Sequence, residues 1–219
     1  MTNTLHRYGT AESFRDDFVL FAIPCKGKNE IGAVDRLREF LRICEKHDPV
    51  NIGNSDFGSY RPSADLGPNV HWNRDELPDH QQVVEGVHRT ATAAAVFGSA
   101  ENAESCLGEL IDADLGLSIN VSTSVEGAQQ LAKSCGIERH SVEYSLGFED
   151  AHDLLPDGKV LELSTMCGHG MVSANLAKKM LDMVKEGRRS PKSAAITLAR
   201  FCPCGVFNPK RAERLLGAE

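Results

Sequence analysis

The chain has 219 residues, of which 41% are hydrophobic and 25% are charged, a composition typical of a globular protein with a substantial core. Its formal net charge of −7 argues against nucleic acid as a partner. No apolar run reaches the roughly 20 residues that span a bilayer, so a membrane partner is not expected either.

Whether the seven cysteines form disulfides depends on the cellular compartment of the protein. Residues 1–17 are polar and lack the apolar stretch of a signal peptide, which favours a cytoplasmic location. Disulfides are rare there, so the cysteines are candidates for metal ligands, reactive thiols or buried packing residues. A small-molecule substrate is the expected partner, and assembly into a homo-oligomer is left open.

The first 80 residues predict a strand and a helix, followed by a long loop. Residues 1–15 predict a flexible tail. The continuous apolar run at 18–23, stopped by Pro24, predicts a buried strand. Apolar residues at intervals of three and four predict an amphipathic helix from about 31 to 47. The stretch 48–80 is rich in proline, glycine and asparagine and predicts a long loop, either a binding lid or a poorly ordered excursion.

From residue 81 onward, strand patterns alternate with helix patterns. The strand candidates lie at 83–97 (one strand or a pair), 115–121, 141–146 and 160–163. The helix candidates lie at 101–112 and 124–134. This alternation predicts an α/β or ferredoxin-like α+β domain that covers residues 16–164.

The remaining segment, 165–219, predicts a helical, cysteine-rich unit packed on that domain. Ser-Pro at 190–191 and Asn-Pro at 208–209 each pair an N-cap residue with proline at the first helical position, which marks two helix starts. Another helix is predicted from about 172 to 186. Only a short turn separates it from the helix at 191–200, so we expect an antiparallel helical hairpin.

This hairpin should bring together the most informative residues of the chain. Cys167 and His169 stand among glycines just before its first helix, and Cys202 and Cys204 follow its second helix. Thiolate and imidazole groups are ligands of zinc, and thiolates also hold iron–sulfur clusters. The pattern therefore favours one metal site, against the simpler interpretation of three buried packing cysteines and a loop histidine.

Two metal groups suit these residues. Three cysteines and His169 complete a tetrahedral Zn²⁺ site, but the single residue between the members of each pair is shorter than the usual zinc spacing. Cys167, Cys202 and Cys204 alone could hold a [4Fe–4S] cluster whose fourth iron acts on a substrate as a Lewis acid. His169 would then be the catalytic proton donor or acceptor. This arrangement is similar, in ligand count only, to that of aconitase-type hydro-lyases and iron–sulfur desulfidases.

Weaker candidates for substrate binding lie elsewhere in the chain. Ser122 and Thr123 precede a helix start, where hydroxyl and backbone N–H groups can bind a carboxylate or phosphate. A simple N-cap explains this stretch equally well. Arg89, in a strand-like segment, is the third candidate.

The sequence thus predicts an iron–sulfur or other metal-binding enzyme that acts on a small polar substrate, as a lyase of the hydro-lyase or desulfidase type. The alternative is a non-enzymatic module with a structural Cys₃His zinc site or a redox-sensing role. A further alternative is a metal-free thiol enzyme in which Cys167 is the nucleophile and His169 its base.

Overall fold

The computed structural model describes residues 5–54, 79–89, 92–139, 154–202 and 204–218. Most of the predicted loop at 48–80 and the predicted strand at 141–146 lie outside these residues. The described beginning of that loop differs from the prediction, because Asn51–Asn54 forms a strand.

In the described part of the chain, four strands form one antiparallel sheet. They are β1 (Phe18–Ile23), β2 (Asn51–Asn54), β3 (Ala93–Phe97) and β4 (Ser118–Ser122). Their spatial order is β2-β3-β1-β4, and every neighbouring pair is antiparallel. With a helix between β1 and β2 and another between β3 and β4, this is the ferredoxin-like split βαβ order. The predicted fold class is therefore confirmed.

Eight helices surround the sheet within the described residues. They are α1 (Ala33–Glu45), α2 (His80–Glu85), α3 (Ala100–Ala113), α4 (Val125–Ser134), α5 (Gly158–Thr165), α6 (Ala174–Lys185), α7 (Pro191–Ala199) and α8 (Pro209–Gly217). The side chains of Ser190 and Asn208 cap α7 and α8, as the two proline pairs predict. None of the described helices combines the length and the apolar character needed to cross a bilayer.

Helices cover both faces of the sheet, which explains the uninterrupted apolar sequence of β1. Leu20 faces α1 and α3 in one hydrophobic core. Val19 and Phe21 face the opposite core, which contains residues of the four helices α5 to α8. The three cysteines of the predicted metal site belong to this second core.

Two of the strand predictions differ from the structure. In the candidate at 83–97, residues 83–85 lie in helix α2, and the described strand there is β3 (Ala93–Phe97). Residues 160–163 lie in helix α5 and not in a strand. The side chain of Asp157 begins this helix by accepting the N–H of Val160 at 3.0 Å. Val160 and Leu163, three positions apart, are both buried. A segment as short as Val-Leu-Glu-Leu does not distinguish a buried helix from a strand, and the aspartate cap decides here.

Residues 5–17, part of which was expected to be a flexible tail, pack against the C-terminal helices around one buried carboxylate. Asp17 is fully buried and accepts hydrogen bonds from Arg7, from Arg211 at 2.8 Å and from Asn208 at 3.1 Å. The Phe14 ring centroid lies 4.2 Å from the guanidinium carbon of Arg211 and 5.1 Å from that of Arg7. The aromatic face thus contacts both cations.

A second carboxylate balances the second cation. Arg211 also donates to Glu162 on α5 at 3.0 Å and to Ser13 at 2.9 Å. Two arginines therefore lie between two carboxylates, Asp17 and Glu162, with no net charge. Removing Asp17, which is fully buried, would leave an uncompensated charge in the interior.

Replacing Asp17 by asparagine should destabilise the fold severely. The Asp17→Asn variant leaves Arg7 and Arg211 without their shared anion, and we expect a loss of about 3–5 kcal/mol in the free energy of unfolding. Asp35→Asn is the control, because Asp35 is 87% exposed in its pair with Arg38 and should change the value by less than about 0.5 kcal/mol. Denaturant unfolding measures both. Similar values for the two variants would show that the buried network does not hold the fold.

Candidate functional site

The first half of the site is the loop between α5 and α6. Cys167 is buried, whereas His169 is exposed two residues later. Because α5 replaces the predicted strand, Cys167 follows the end of a helix, and it stands seven residues before the first residue of α6. Cys167 therefore lies outside the first turn of α6, the region in which a helix dipole would stabilise a thiolate.

The second half is the turn between α7 and α8, which carries Cys202 and Cys204. This turn presses against strand β2: a Cβ at Gly53 would lie 2.5 Å from the carbonyl carbon of Cys204. A Cβ at Gly205 would lie 2.4 Å from the backbone nitrogen of Gly53, and Gly205 has a φ of +73°. Only glycine at both positions allows the two backbones to approach so closely.

The helical hairpin brings the two halves together, as predicted. The Sγ atom of Cys204 lies 3.5 Å from Nδ1 of His169, which is 35 positions earlier in the sequence. The Sγ atoms of Cys202 and Cys204 are 3.8 Å apart. Cys167 lies in the same buried core and is close enough to affect the ionisation of Cys204.

Backbone groups of the site point at the sulfur atoms. The N–H of Met171 donates to Sγ of Cys167 at 3.3 Å. Hydrogen bonds from the backbone of Val206 lower the pKa values of both Cys202 and Cys204. Donors of this kind stabilise a thiolate more than a thiol. These donors offset part of the cost of a buried thiolate, although burial still raises the pKa of Cys202.

The two cysteines of the turn ionise as a pair. A hydrogen bond from Cys202 lowers the pKa of Cys204, whereas burial and the nearby Cys167 raise it. Burial raises the pKa of Cys202 well above its usual value, and Cys204 adds to that effect. The two thiols therefore lose their protons as a coupled pair, in which the pKa of Cys204 is lowered and that of Cys202 is raised.

The three weaker candidates for substrate binding have other surroundings. Both the backbone oxygen and the hydroxyl of Ser122 accept from Arg7, at 3.2 and 3.4 Å. Thr123 is half-buried, and the neighbouring Ser124 is a simple N-cap of α4 that accepts the N–H of Gly127. Arg89 is exposed in the segment between α2 and β3. Their role in substrate binding stays a prediction.

Arg7 is the residue of the site that sequence reasoning missed. Its side chain is 2% exposed and donates to the carbonyl oxygen of Met166, next to Cys167, at 3.2 Å. Burial lowers the pKa of its guanidinium, and the nearby Asp17 and, more weakly, Cys202 act in the opposite direction. A single arginine in a polar, aperiodic segment carries no local pattern that would have indicated this position.

Two contacts connect the predicted ligands: Cys202 with Cys204, and Cys204 with His169. Within the described ranges, no group of three or more His, Cys, Asp or Glu side chains is arranged to hold a metal ion. The chemistry of the donor set nevertheless fits a thiolate-bound metal, because all three sulfurs accept backbone hydrogen bonds. Full coordination would require the Cys167 loop to close on the Cys202–Cys204 pair.

Comparisons with protein-family models, with curated proteins and with solved structures found no match for this chain. The ferredoxin-like sheet does not supply a function, because proteins with unrelated activities share it. The chemical character of the molecule therefore lies in the side chains of its site: the sulfurs of Cys167, Cys202 and Cys204 and the imidazole of His169.

The contact between the cysteine turn and β2 should be intolerant of a single methyl group. Gly205→Ala introduces both an unfavourable φ and a clash with strand β2, and we expect a loss of more than about 2 kcal/mol in unfolding free energy. Gly187 is the matched control: its φ of +68° is similar, but a Cβ added there would have no atom of the described residues within 4 Å. Gly187→Ala should cost about 1 kcal/mol. Equal losses in denaturant unfolding would refute the close approach.

Proposed function

We propose that Cys167, Cys202, Cys204 and His169 together bind one metal ion, with zinc as the first candidate. The observation that supports this most strongly is the spacing of the donor atoms. Two sulfurs bound to one tetrahedral zinc at about 2.3 Å are about 3.8 Å apart, and a sulfur and a nitrogen are about 3.6 Å apart. The separations here are 3.8 Å for Cys202 and Cys204 and 3.5 Å for Cys204 and His169.

Glycines allow the loop to complete this site. Gly168 and Gly170, with φ values of +70°, flank His169. His169 is exposed, and the contact between its Nδ1 and Sγ of Cys204 is one that a shared metal would replace. Closure of the loop would bring Cys167 to the pair, and zinc binding would release the thiol protons to solvent, because zinc binds thiolate. The backbone hydrogen bonds already present would then stabilise the bound thiolates.

The [4Fe–4S] cluster expected from the sequence places stricter demands on this geometry. Such a cluster binds each thiolate at a different iron, so its cysteine sulfurs lie farther apart than two ligands of one ion. Cys202 and Cys204 would have to separate to hold it. The spacing therefore favours a single ion over the cluster, and iron and sulfide analysis distinguishes the two.

We propose that this site belongs to an enzyme that acts on a small polar substrate. The exposed His169 would be the group nearest to solvent, and a bound metal would supply Lewis-acid polarisation of the substrate. If all four residues instead remain ligands during function, the site is closed and structural. The reducing cytoplasm suits either case, because all seven cysteines are free in the structure.

A redox-active dithiol is the second candidate function. The contact between Cys202 and Cys204 and the lowered pKa of Cys204 favour it, because a thiolate beside a second thiol is the reactive arrangement in thiol–disulfide exchange. It differs from the metal site in using two cysteines only, so Cys167→Ser would leave it intact.

Loss of one sulfur should abolish metal retention. We expect about one zinc per chain in protein purified without chelator, and none in Cys202→Ser, since a structural zinc site needs its full ligand set. Cys106→Ser is the control: Cys106 is buried in the other core, beside Cys44. Elemental analysis of iron, zinc and sulfide measures the outcome. Metal-free wild-type protein after both zinc and anaerobic iron–sulfide reconstitution would overturn the metal proposal.

His169 should behave as a ligand. If its imidazole completes a four-ligand site, His169→Ala should weaken zinc binding by at least about tenfold and lower the melting temperature of the zinc-loaded protein. His88→Ala serves as the control, because His88 is exposed in the segment before β3. A competition titration with a chromophoric zinc chelator measures the affinity. Unchanged affinity in His169→Ala would remove this residue from the ligand set and leave it a catalytic role only.

A further inference from the structure

The N-terminal residues 5–8 lie along the loop that carries Cys167 and hold it at successive points. The N–H of Tyr8 donates to the hydroxyl of Thr165 at 2.9 Å, and the N–H of His6 donates to the carbonyl oxygen of Gly168 at 3.1 Å. Leu5 packs closely on Gly168: a Cβ added at Gly168 would lie 2.7 Å from the Cβ of Leu5. We call residues 5–8 the N-terminal strap.

Arg7 is the central residue of the strap and connects three parts of the fold. Its Nε donates to the carbonyl oxygen of Met166 at the end of α5, and its Nη1 to the backbone oxygen of Ser122 at the end of β4. Its Nη2 donates to the buried Asp17. The guanidinium thus fixes the loop that begins at Met166 relative to the sheet, on the face that carries the cysteine turn.

The same side chain brings positive charge to the sulfur atoms. The guanidinium lies within electrostatic range of the buried Cys202, where it would favour a thiolate over a thiol. Asp17 neutralises part of that charge, so Arg7 acts mainly through the position of the Cys167 loop. Its fork of planar donors suits this task, because lysine could not hold Met166, Ser122 and Asp17 simultaneously.

We propose that Arg7 is the positioning residue of the cysteine site: it sets the distance between Cys167 and the Cys202–Cys204 pair and thereby the metal affinity. This inference rests on the proposed metal function. It adds the N-terminal strap to the site, although the strap supplies no ligand. It also implies that a looser strap lowers the number of cysteines bound to the metal, although none of the ligand residues has been replaced.

The test compares cobalt binding by wild type, Arg7→Lys, Arg7→Gln and the control Arg15→Gln, all as full chains stripped of metal. Arg15 is an exposed residue of the same segment that pairs with Glu12. Co²⁺ reports both affinity and coordination, because thiolate-to-cobalt charge transfer depends on the number of bound sulfurs. We expect both Arg7 variants to bind Co²⁺ about 10–100-fold more weakly, as for other residues that orient ligands, with less charge-transfer intensity per bound ion.

The outcomes separate the inference from the proposed function. No tetrahedral Co²⁺ spectrum in wild type would refute the metal function itself. Wild-type affinity and intensity in Arg7→Lys, which retains the charge beside Asp17 but loses the fork, would overturn the role of Arg7. Circular dichroism of the metal-free proteins identifies variants that do not fold. If Arg7→Gln is one of these, Arg7→Lys alone decides.

Discussion

One buried carboxylate, Asp17, connects the two halves of the candidate site. It binds Arg7, which holds the loop of Cys167 and His169, and it binds Arg211 in the first turn of α8, just after the cysteine turn. Because both arginines bind the same anion, the two loops are connected through one buried carboxylate, and a change at Asp17 would affect both of them. The ion-pair network of Arg7, Asp17 and Arg211 therefore positions the two loops that carry the sulfurs.

The location of the candidate site determines its chemistry. Helices α5 to α8 cover a sheet face, and the sulfurs lie between that face and the helices, away from water. In such surroundings a thiolate needs local compensation, which backbone N–H groups and a nearby guanidinium provide. The tight contact of Gly205 with Gly53 holds the cysteine turn on strand β2. His169 remains the exposed edge of this otherwise dry site.

Local patterns in the sequence were sufficient to predict the hairpin, and with it the meeting of Cys204 and His169, because N-cap and proline signals determine helix starts. They were insufficient at residues 160–163, where four residues with three apolar side chains fit a helix or a strand equally well. They failed most clearly at Arg7 and Phe14, which lie in a polar segment without periodicity. Their burial depends on partners such as Arg211, almost 200 positions away, and no local pattern encodes such a contact.

The central claim is that the three sulfurs and one imidazole share a single ion. X-ray absorption at the metal edge of the purified, metal-loaded protein tests it most directly. The account predicts about three sulfurs at about 2.3 Å and one nitrogen at about 2.0–2.1 Å around zinc, with no second metal in the scattering. An iron edge with a metal–metal shell would contradict it in favour of a cluster, and a zinc shell of oxygen and nitrogen alone would show that the cysteines are not ligands.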